Sequence, residues 1–564
     1  MREINPRLSR RVLLGSAAAG ITLLGLDRVG MAATVSDPWS QARDIVNRLA
    51  SPTAFPSRTF YVSAYGAVPD GQTDNYLAFK SAIVACNKAG GGHVVVTAGT
   101  WYVAGSIFLL SNVDFHLNDG ATILFSANPA DYAKYGDRDC GPNGKLSLQR
   151  WQGNDCINYT PLVYAYQQNN IALTGDGAAT LNGGAYSGGG ATATSSGWLD
   201  WKTPSSKSNV ANYTDISNGT QYATLNASYG IPSSLETATF GSGTGTTLFG
   251  DEGYLPALSE AGVAANLRVF GVGHYLRPSM VHFYRCNNVM ISGITTNNSP
   301  MWEVHPCLCR NVVIRNCNLL SQTVNGDGID PESCSYVWIT GCNFFTGDDP
   351  IAIKAGKNLD NYQPCQNIVI DNCYMKNSPG GVTIGSEMSG GVQNVFVQTC
   401  TIDNCTISLR IKTNMNRGGY VKNVYYRNIS IPNGGSLSRG YPIFFINATY
   451  SWNADAIRTR PPVVQNINAD NIIVGKMASR AYSNYQGIYI QGPDASQYNG
   501  AGTPTVYPAT AVTISNSNFG TSKGPAPAFL NNVTNLVLNN VTMNGKAYSA
   551  TLDVALTSAG TNYP

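Results

Sequence analysis

Asp327, Asp348 and Asp349 lie in two short segments, DGIDPE from Asp327 and DDPIAIK from Asp348. These align with PGGVTIGSE from Pro379 and ISLRIK from Ile407. Anchored on Ile329, Ile351, Val382 and Leu409, the alignment puts Asp327 and Asp349 in one column, with Asp348 one position earlier. If the segments are stacked strands, about 4.8 Å apart, the three carboxylates meet in a patch a few ångströms wide. Like charges that close raise at least one pKa, which lets one acid stay protonated beside a base. On the fourth segment Arg410 and Lys412 flank Ile411 and share one face. Two strand spacings put them about 10 Å from Asp349. Carboxylates facing a fixed Arg/Lys pair suit acid–base work on an anionic substrate, because Arg holds a carboxylate bidentately. A calcium site, or a satisfied Asp ladder with solvated cations, fits the spacing as well.

The elements that would position these groups are legible as a repeat. An Asn, an aliphatic and alternating positions recur from Asn112, Asn170, Asn288, Asn311, Tyr336, Asn367, Asn394, Asn423, Asn466, Ala511 and Asn535. Between Asn288 and Asn423 the steps are 23, 25, 31, 27 and 29 residues. Each copy alternates with period two and reads as a short half-buried strand. A strand every twenty-odd residues cannot bury its face alone, so the fold expected is all-β, a single right-handed parallel β-helix with one coil per repeat.

Cysteines follow the same register. Cys317, Cys342, Cys373 and Cys400 share one column of the repeat, and Cys286, Cys309, Cys334 and Cys365 share another. Neighbouring copies put aliphatics in these columns, so the thiols read as stacked core residues rather than zinc ligands. Cys140 and Cys156 lie in a loop-rich stretch and are a candidate disulfide.

At the flanks, residues 34–58 read as an N-terminal helix, over Asp44 to Leu49, and a linker. Thr73 to Lys88 reads as a capping helix with Leu77, Ile83 and Cys86 on its apolar face. The β-helix is expected over 59–549, with a tail at 550–564. A Gly/Ser/Thr-rich insertion, about 183–268, carries Trp198 and Trp201 and belongs on the binding face.

Composition narrows the functional classes. The chain has 564 residues, of which 12% are charged against 43% hydrophobic, and 59 are glycine. That excludes a disordered polyelectrolyte, a coiled coil and a collagen. The net charge of +3 resides entirely in residues 1–33, where Arg2, Arg7, Arg10, Arg11 and Arg28 face Glu3 and Asp27. The remainder is neutral, so nucleic acid is not an expected partner. Residues 1–33 read as a signal peptide of twin-arginine type, with Ser9-Arg10-Arg11-Val12-Leu13-Leu14, a short apolar run and Met31-Ala32-Ala33. The chain is therefore expected to be exported to the periplasm or secreted. No segment is solidly apolar over the roughly 20 residues of a membrane span.

Asn325-Gly-Asp327-Gly-Ile-Asp330, Gly347-Asp348-Asp349 and Arg410-Ile411-Lys412, in this order on a β-helix, resemble the polygalacturonases of glycoside hydrolase family 28. The resemblance runs from Thr59 to Val541 and includes AYGAVPDGQTDN from Ala64 and RVFGVGHYLRP before the catalytic coils. NSPMWEVHP from Asn298 and IGSEMSGG from Ile384 are similar to the exo-acting bacterial branch. It implies inverting hydrolysis of α-1,4-linked galacturonic acid in pectic polysaccharide or oligogalacturonate. In that scheme Asp348 is the general acid, and Asp327 and Asp349 activate the water. Asn325, Arg410, Lys412, Lys354 and Glu387 bind the substrate, and no metal or cofactor is needed. Inverting carboxyl pairs are usually about 6.5–9.5 Å apart. A monomer is expected. The insertion, with Trp198 and Trp201 stacked on sugar, would wall off one end of the groove and admit only a chain terminus.

Two departures stand out. The family usually has Gly-His-Gly on the coil before Arg-Ile-Lys, whereas this chain has Ser378-Pro379-Gly380-Gly381. Pro350 stands where Cys commonly follows the Asp pair. These leave open a different galacturonate-containing substrate, such as a rhamnogalacturonan or branched pectin. A lyase on the same fold and a catalytically weak pectin-binding protein also remain open.

Overall fold

The computed structural model describes residues 37–563 except 186–197, 199–219, 233–239, 243–245, 249, 275, 361–362, 436–440, 451–455, 478–484 and 522–525. The expected signal peptide and Trp201 lie outside the described residues. The chain winds as a parallel β-helix. In its long sheet, strands Asn287–Ser292, Arg310–Arg315, Ser335–Thr340, Cys365–Asp371, Val392–Gln398 and Tyr420–Gly434 pair successively in parallel. A second column runs through Val304, Ile329, Ile351, Val382, Leu409 and Phe444, each paired in parallel with the next. That is the anchor alignment read from the four segments.

The recurring Asn has a backbone cause. Asn288, Asn311, Asn367, Asn394, Asn423 and Asn466 all have φ between +54° and +59°, a left-handed conformation that Asn tolerates better than other non-glycine residues. Their side-chain amides then stack: Asn311 donates to Asn288 at 2.8 Å and Asn423 to Asn394 at 3.0 Å. The ladder thus sets the corner of each coil. Both cysteine columns are 0–2% exposed and lie in the main apolar core.

Helix Pro38–Arg48 lies outside the solenoid on Val313, Val369 and Phe396, and Arg48 hydrogen-bonds Asn311 of the ladder at 3.2 Å. Helix Tyr76–Lys88 covers the first coil with Tyr76, Phe79, Ala82, Ile83 and Cys86. Leu77, expected on that face, is 67% exposed, because Tyr76 and Phe79 take the inward positions. At the other end, Lys546–Val554 and Thr561–Tyr563 pair antiparallel with the last coils. Within the expected tail, residues 550–554 and 561–563 thus form strands that cap the open sheet edge.

Cys140 and Cys156 are free thiols. They do not pair because Cys156 packs with Trp151 and Phe270 in a separate apolar cluster, while Cys140 packs against the main core. In the insertion, helices Thr220–Tyr229 and Gly250–Glu260 are described. The second is tied to later coils by Glu260, which pairs bidentately with Arg460 at 2.7 and 2.9 Å and accepts from Asn358 at 2.9 Å. Among the described residues no helix is long and apolar enough to cross a membrane.

Candidate active site

The four aligned segments bring the candidate residues to one pocket of about 200 Å³. Asn325, Asp327, Asp348, Lys354, Glu387, Arg410 and Lys412 line it, together with Gln152, Trp302, Lys357, Ser386 and Tyr450. Asp349 stands behind this wall, fully buried. One oxygen from each of Asp327, Asp348 and Asp349 lies within 4.8 Å of the others, closer than the separation expected for an inverting pair.

Arg410 and Lys412 do not stay 10 Å from Asp349. Their backbones are two coils on, but their side chains reach back: Lys412 Nζ is 2.9 Å from Asp349 Oδ2, and Arg410 Nη1 is 3.4 Å from Oδ1. Burial alone would raise the Asp349 pKa, but Lys412 and Arg410 overcome it and hold it at about 2. Asp348, half-buried, is raised by burial and by the charge of Asp349. Asp327 is raised well above the usual carboxylate range by burial, Asp330 and Asp348. One carboxylate of the three is thus held ionised while its neighbours favour the proton.

Lys354 is enclosed by acids, with Nζ 3.1 Å from Glu387 and 3.8 Å from both Asp327 and Asp330. Burial would lower its pKa, but Glu387 and Asp330 hold it charged. It also stands 4.4 Å over the Trp302 ring. Asn325 takes φ +56° just ahead of Asp327. Its carbonyl accepts from buried Arg277 at 2.8 Å, and Arg277 also donates to the Pro300 and Val324 carbonyls. Arg277, from the RVFGVGHYLRP segment, therefore fixes the turn that presents Asp327.

Two expectations change at this site. Trp198 is fully buried, packed against the rings of Tyr132 and Tyr159, so it is a core residue and not a sugar platform. Among the described residues, the indole that lines the pocket is Trp302. None of the insertion's described residues lines the pocket, whereas the tip of a hairpin does. Strands Lys145–Trp151 and Asn154–Asn158 carry Gln152 into the pocket. The tip turns at Gly153, φ +87°, where a Cβ would lie 2.6 Å from Lys357 Cβ and 3.1 Å from Glu387. Arg150 anchors this hairpin through Asp155 at 2.7 Å and Glu332 at 3.4 Å.

Asp330, Gln152, Trp302, Lys357, Ser386 and Tyr450 were not among the sequence candidates. Asp330, Trp302 and Ser386 lay inside noted motifs, and Lys357 follows three residues after Lys354. Gln152 and Tyr450 carry no periodic signal. At Pro350 the backbone N–H is missing, yet its carbonyl still accepts from Ile329 at 2.9 Å, which keeps the coil pairing.

The three aspartates offer ligand atoms at metal-binding separation, as do His305, Cys307 and Glu332. At the first set Lys354, Arg410 and Lys412 already supply the positive charge. At the second, Arg150 does so, and burial keeps the Cys307 thiol protonated.

The Glycosyl hydrolases family 28 model matches residues 273–506, the span that supplies every described lining residue of this pocket except Gln152. The exopolygalacturonase structure of Thermotoga maritima is 30% identical with a TM-score of 0.69, covering 92% of this chain and all of that one. The chain belongs to glycosyl hydrolases family 28. It is a polygalacturonase-like glycoside hydrolase. A probable polygalacturonase of Vitis vinifera is 27% identical over 74% of this chain and 69% of its own length. An exo-poly-alpha-D-galacturonosidase of Dickeya chrysanthemi is 24% identical over 75% and 63%.

Proposed function

We propose that this hydrolase removes galacturonic acid from the ends of pectic chains, with inversion at the anomeric carbon. The observation that carries the reading is the pocket of about 200 Å³ in which Asp348 shares walls with Lys354, Lys357, Arg410 and Lys412. Four cations around one sugar-sized space favour a uronate, and the carboxyl of Asp348 is positioned to protonate its glycosidic oxygen.

Asp349, the ionised member, takes the proton of the attacking water. Asp327 orients that water and, with Asp330, keeps proton density on the pocket floor. Oxygens up to 4.8 Å apart are bridged by one water with ordinary hydrogen bonds of about 2.7 Å. The water then enters opposite the bond that Asp348 cleaves. Asn325, Lys354 and Glu387 hold the sugar hydroxyls and carboxylate. The Gln152 hairpin closes the pocket on one side, so only a terminus enters. Names of relatives from Thermotoga maritima and Dickeya chrysanthemi support the exo mode. Export through the Arg10-Arg11 segment belongs to the same reading.

Time-resolved digestion of polygalacturonate tests this reading. Mono- or digalacturonate should accumulate from the outset with little loss of viscosity. Proton spectra of the first turnovers should show the β-anomer. A rapid viscosity drop with few new reducing ends overturns the exo reading, and an α-anomer overturns inversion.

A further inference from the structure

Glu332 is fully buried and lies outside the pocket lining, yet both of its carboxylate oxygens are engaged by residues that adjoin that lining. Oε1 accepts from the Gly356 N–H at 3.1 Å and from Arg150 Nη1 at 3.4 Å, and Oε2 is 2.9 Å from His305 Nε2. Gly356 immediately precedes Lys357, and Arg150 lies two residues before Gln152. The His305 ring meets Trp302 edge-on, with centroids 4.7 Å apart. The backbone on either side of Glu332 completes the set. Ser333 N–H donates to the Lys354 carbonyl at 2.8 Å, and Lys354 N–H to the Pro331 carbonyl at 3.0 Å. One carboxylate thus sits among the supports of Gln152, Trp302, Lys354 and Lys357, four residues of the pocket wall.

These supports also interlock. Lys357 N–H donates to the Gly153 carbonyl at 3.0 Å and Asn154 Nδ2 to the Lys357 carbonyl at 3.1 Å, which bonds the hairpin tip to the lysine loop. Gly356 leaves room for the Arg150 guanidinium, since a Cβ there would lie 3.4 Å from Nη1. As packing alone the arrangement gains little. A buried carboxylate and guanidinium must first repay their desolvation, and apolar residues of similar volume often stabilise a fold as well. What the ionic contacts add is direction. Each holds one part of the wall by a hydrogen bond of defined geometry, as binding groups need if they are to stay within about half an ångström of their working positions.

We propose that Glu332 is a positioning residue: through Arg150, His305 and Gly356 it sets the places of Gln152, Trp302, Lys354 and Lys357, and so how tightly the pocket holds the terminal galacturonate. Glu332 has no exposed surface to offer the sugar, so it acts only through these neighbours. Asp349 is held separately, by Arg410 and Lys412. Substrate binding, rather than the chemical step, should therefore depend on Glu332. The inference rests on the galacturonate reading of the pocket.

Steady-state kinetics on oligogalacturonate with Glu332→Gln and Arg150→Lys test it. Gln keeps the shape but offers one acceptor oxygen where the carboxylate has two, and Lys keeps the charge but loses the fork. Each should raise KM about tenfold, the worth of one hydrogen bond to a charged group. The kcat should stay within about threefold of the unaltered enzyme, as expected when only uniform binding is lost. A merely stabilising role would lower the folded fraction and leave KM where it was. In a Gln152→Ala background the same substitutions should raise KM by a smaller factor, because residues that act through one another are not additive. An unchanged KM in either variant, a loss confined to kcat, or factors that multiply fully with Gln152→Ala overturns the positioning role while the galacturonate reading stands. If the unaltered enzyme cleaves no oligogalacturonate, both fall.

Discussion

Gly380 stacks against Asp349 so closely that a Cβ at Gly380 would lie 2.1 Å from Asp349 Oδ1 and 2.9 Å from its Cγ. Gly380 belongs to the coil between Asp349 and the Arg410 strand. Its missing side chain opens the path along which Arg410 and Lys412 reach across two coils to the buried carboxylate. The pairing that holds Asp349 ionised thus depends on a residue with no side chain.

Gly380→Ala should therefore displace the Asp349 carboxylate and lower kcat by about 100-fold, the usual cost of misplacing a catalytic group by an ångström. Gly380 has no positive φ, so the cost comes from the clash rather than the backbone, and stability should fall by about 1–3 kcal/mol, as is usual for overpacking. A variant with full turnover would remove Asp349 from the proton-transfer scheme.

Asp348→Asn should reduce kcat by at least about two orders of magnitude, the contribution typical of a general acid. KM should change little, because the proton is transferred only in the transition state. Steady-state kinetics on oligogalacturonate check both parameters, and near-normal turnover would exclude Asp348 as the acid.

The pH profile follows from the opposite shifts of Asp348 and Asp349. Asp348 must be protonated, so activity should fall as pH rises through its raised pKa. Asp349 must be ionised, so activity should persist at low pH until its pKa of about 2 is approached. Lys412 lowers both groups. Lys412→Ala should therefore move both limbs upward in pH and raise KM for acidic oligosaccharides, more at low than at high salt. An unmoved acid limb would show that Lys412 does not hold Asp349 ionised.

The two tryptophans should separate stability from binding. Trp198→Ala should destabilise the fold by about 3–5 kcal/mol, the range for emptying a large core site, with KM unchanged in the folded fraction. Trp302→Ala should raise KM instead, since that ring supports Lys354 at the pocket wall. Denaturant unfolding and kinetics on the same preparations distinguish these outcomes.

Hydrophobic alternation, the recurring Asn and the column of anchors were enough to predict coils, their stacking and the meeting of Asp327, Asp348 and Asp349. Period-two alternation and a fixed repeat are written into each strand. Stacking then follows, because no single strand can bury its own apolar face. The two cysteine columns were readable for the same reason. The wall of the pocket was not, because Gln152, Trp302 and Tyr450 arrive from segments whose separation in sequence carries no period.

Three further features were decided only by the tertiary structure. Trp198 points into the core because Tyr132 and Tyr159 leave an indole-shaped gap there. Cys140 and Cys156 remain apart because they belong to different apolar clusters. Arg410 and Lys412 close on Asp349 because long side chains span a distance that backbone spacing alone leaves open. Strand order and facing are local properties that the sequence determined by itself. Which charges pair, and so which carboxylate keeps its proton, depends on side-chain reach and burial between distant coils, and these exist only once the chain has wound.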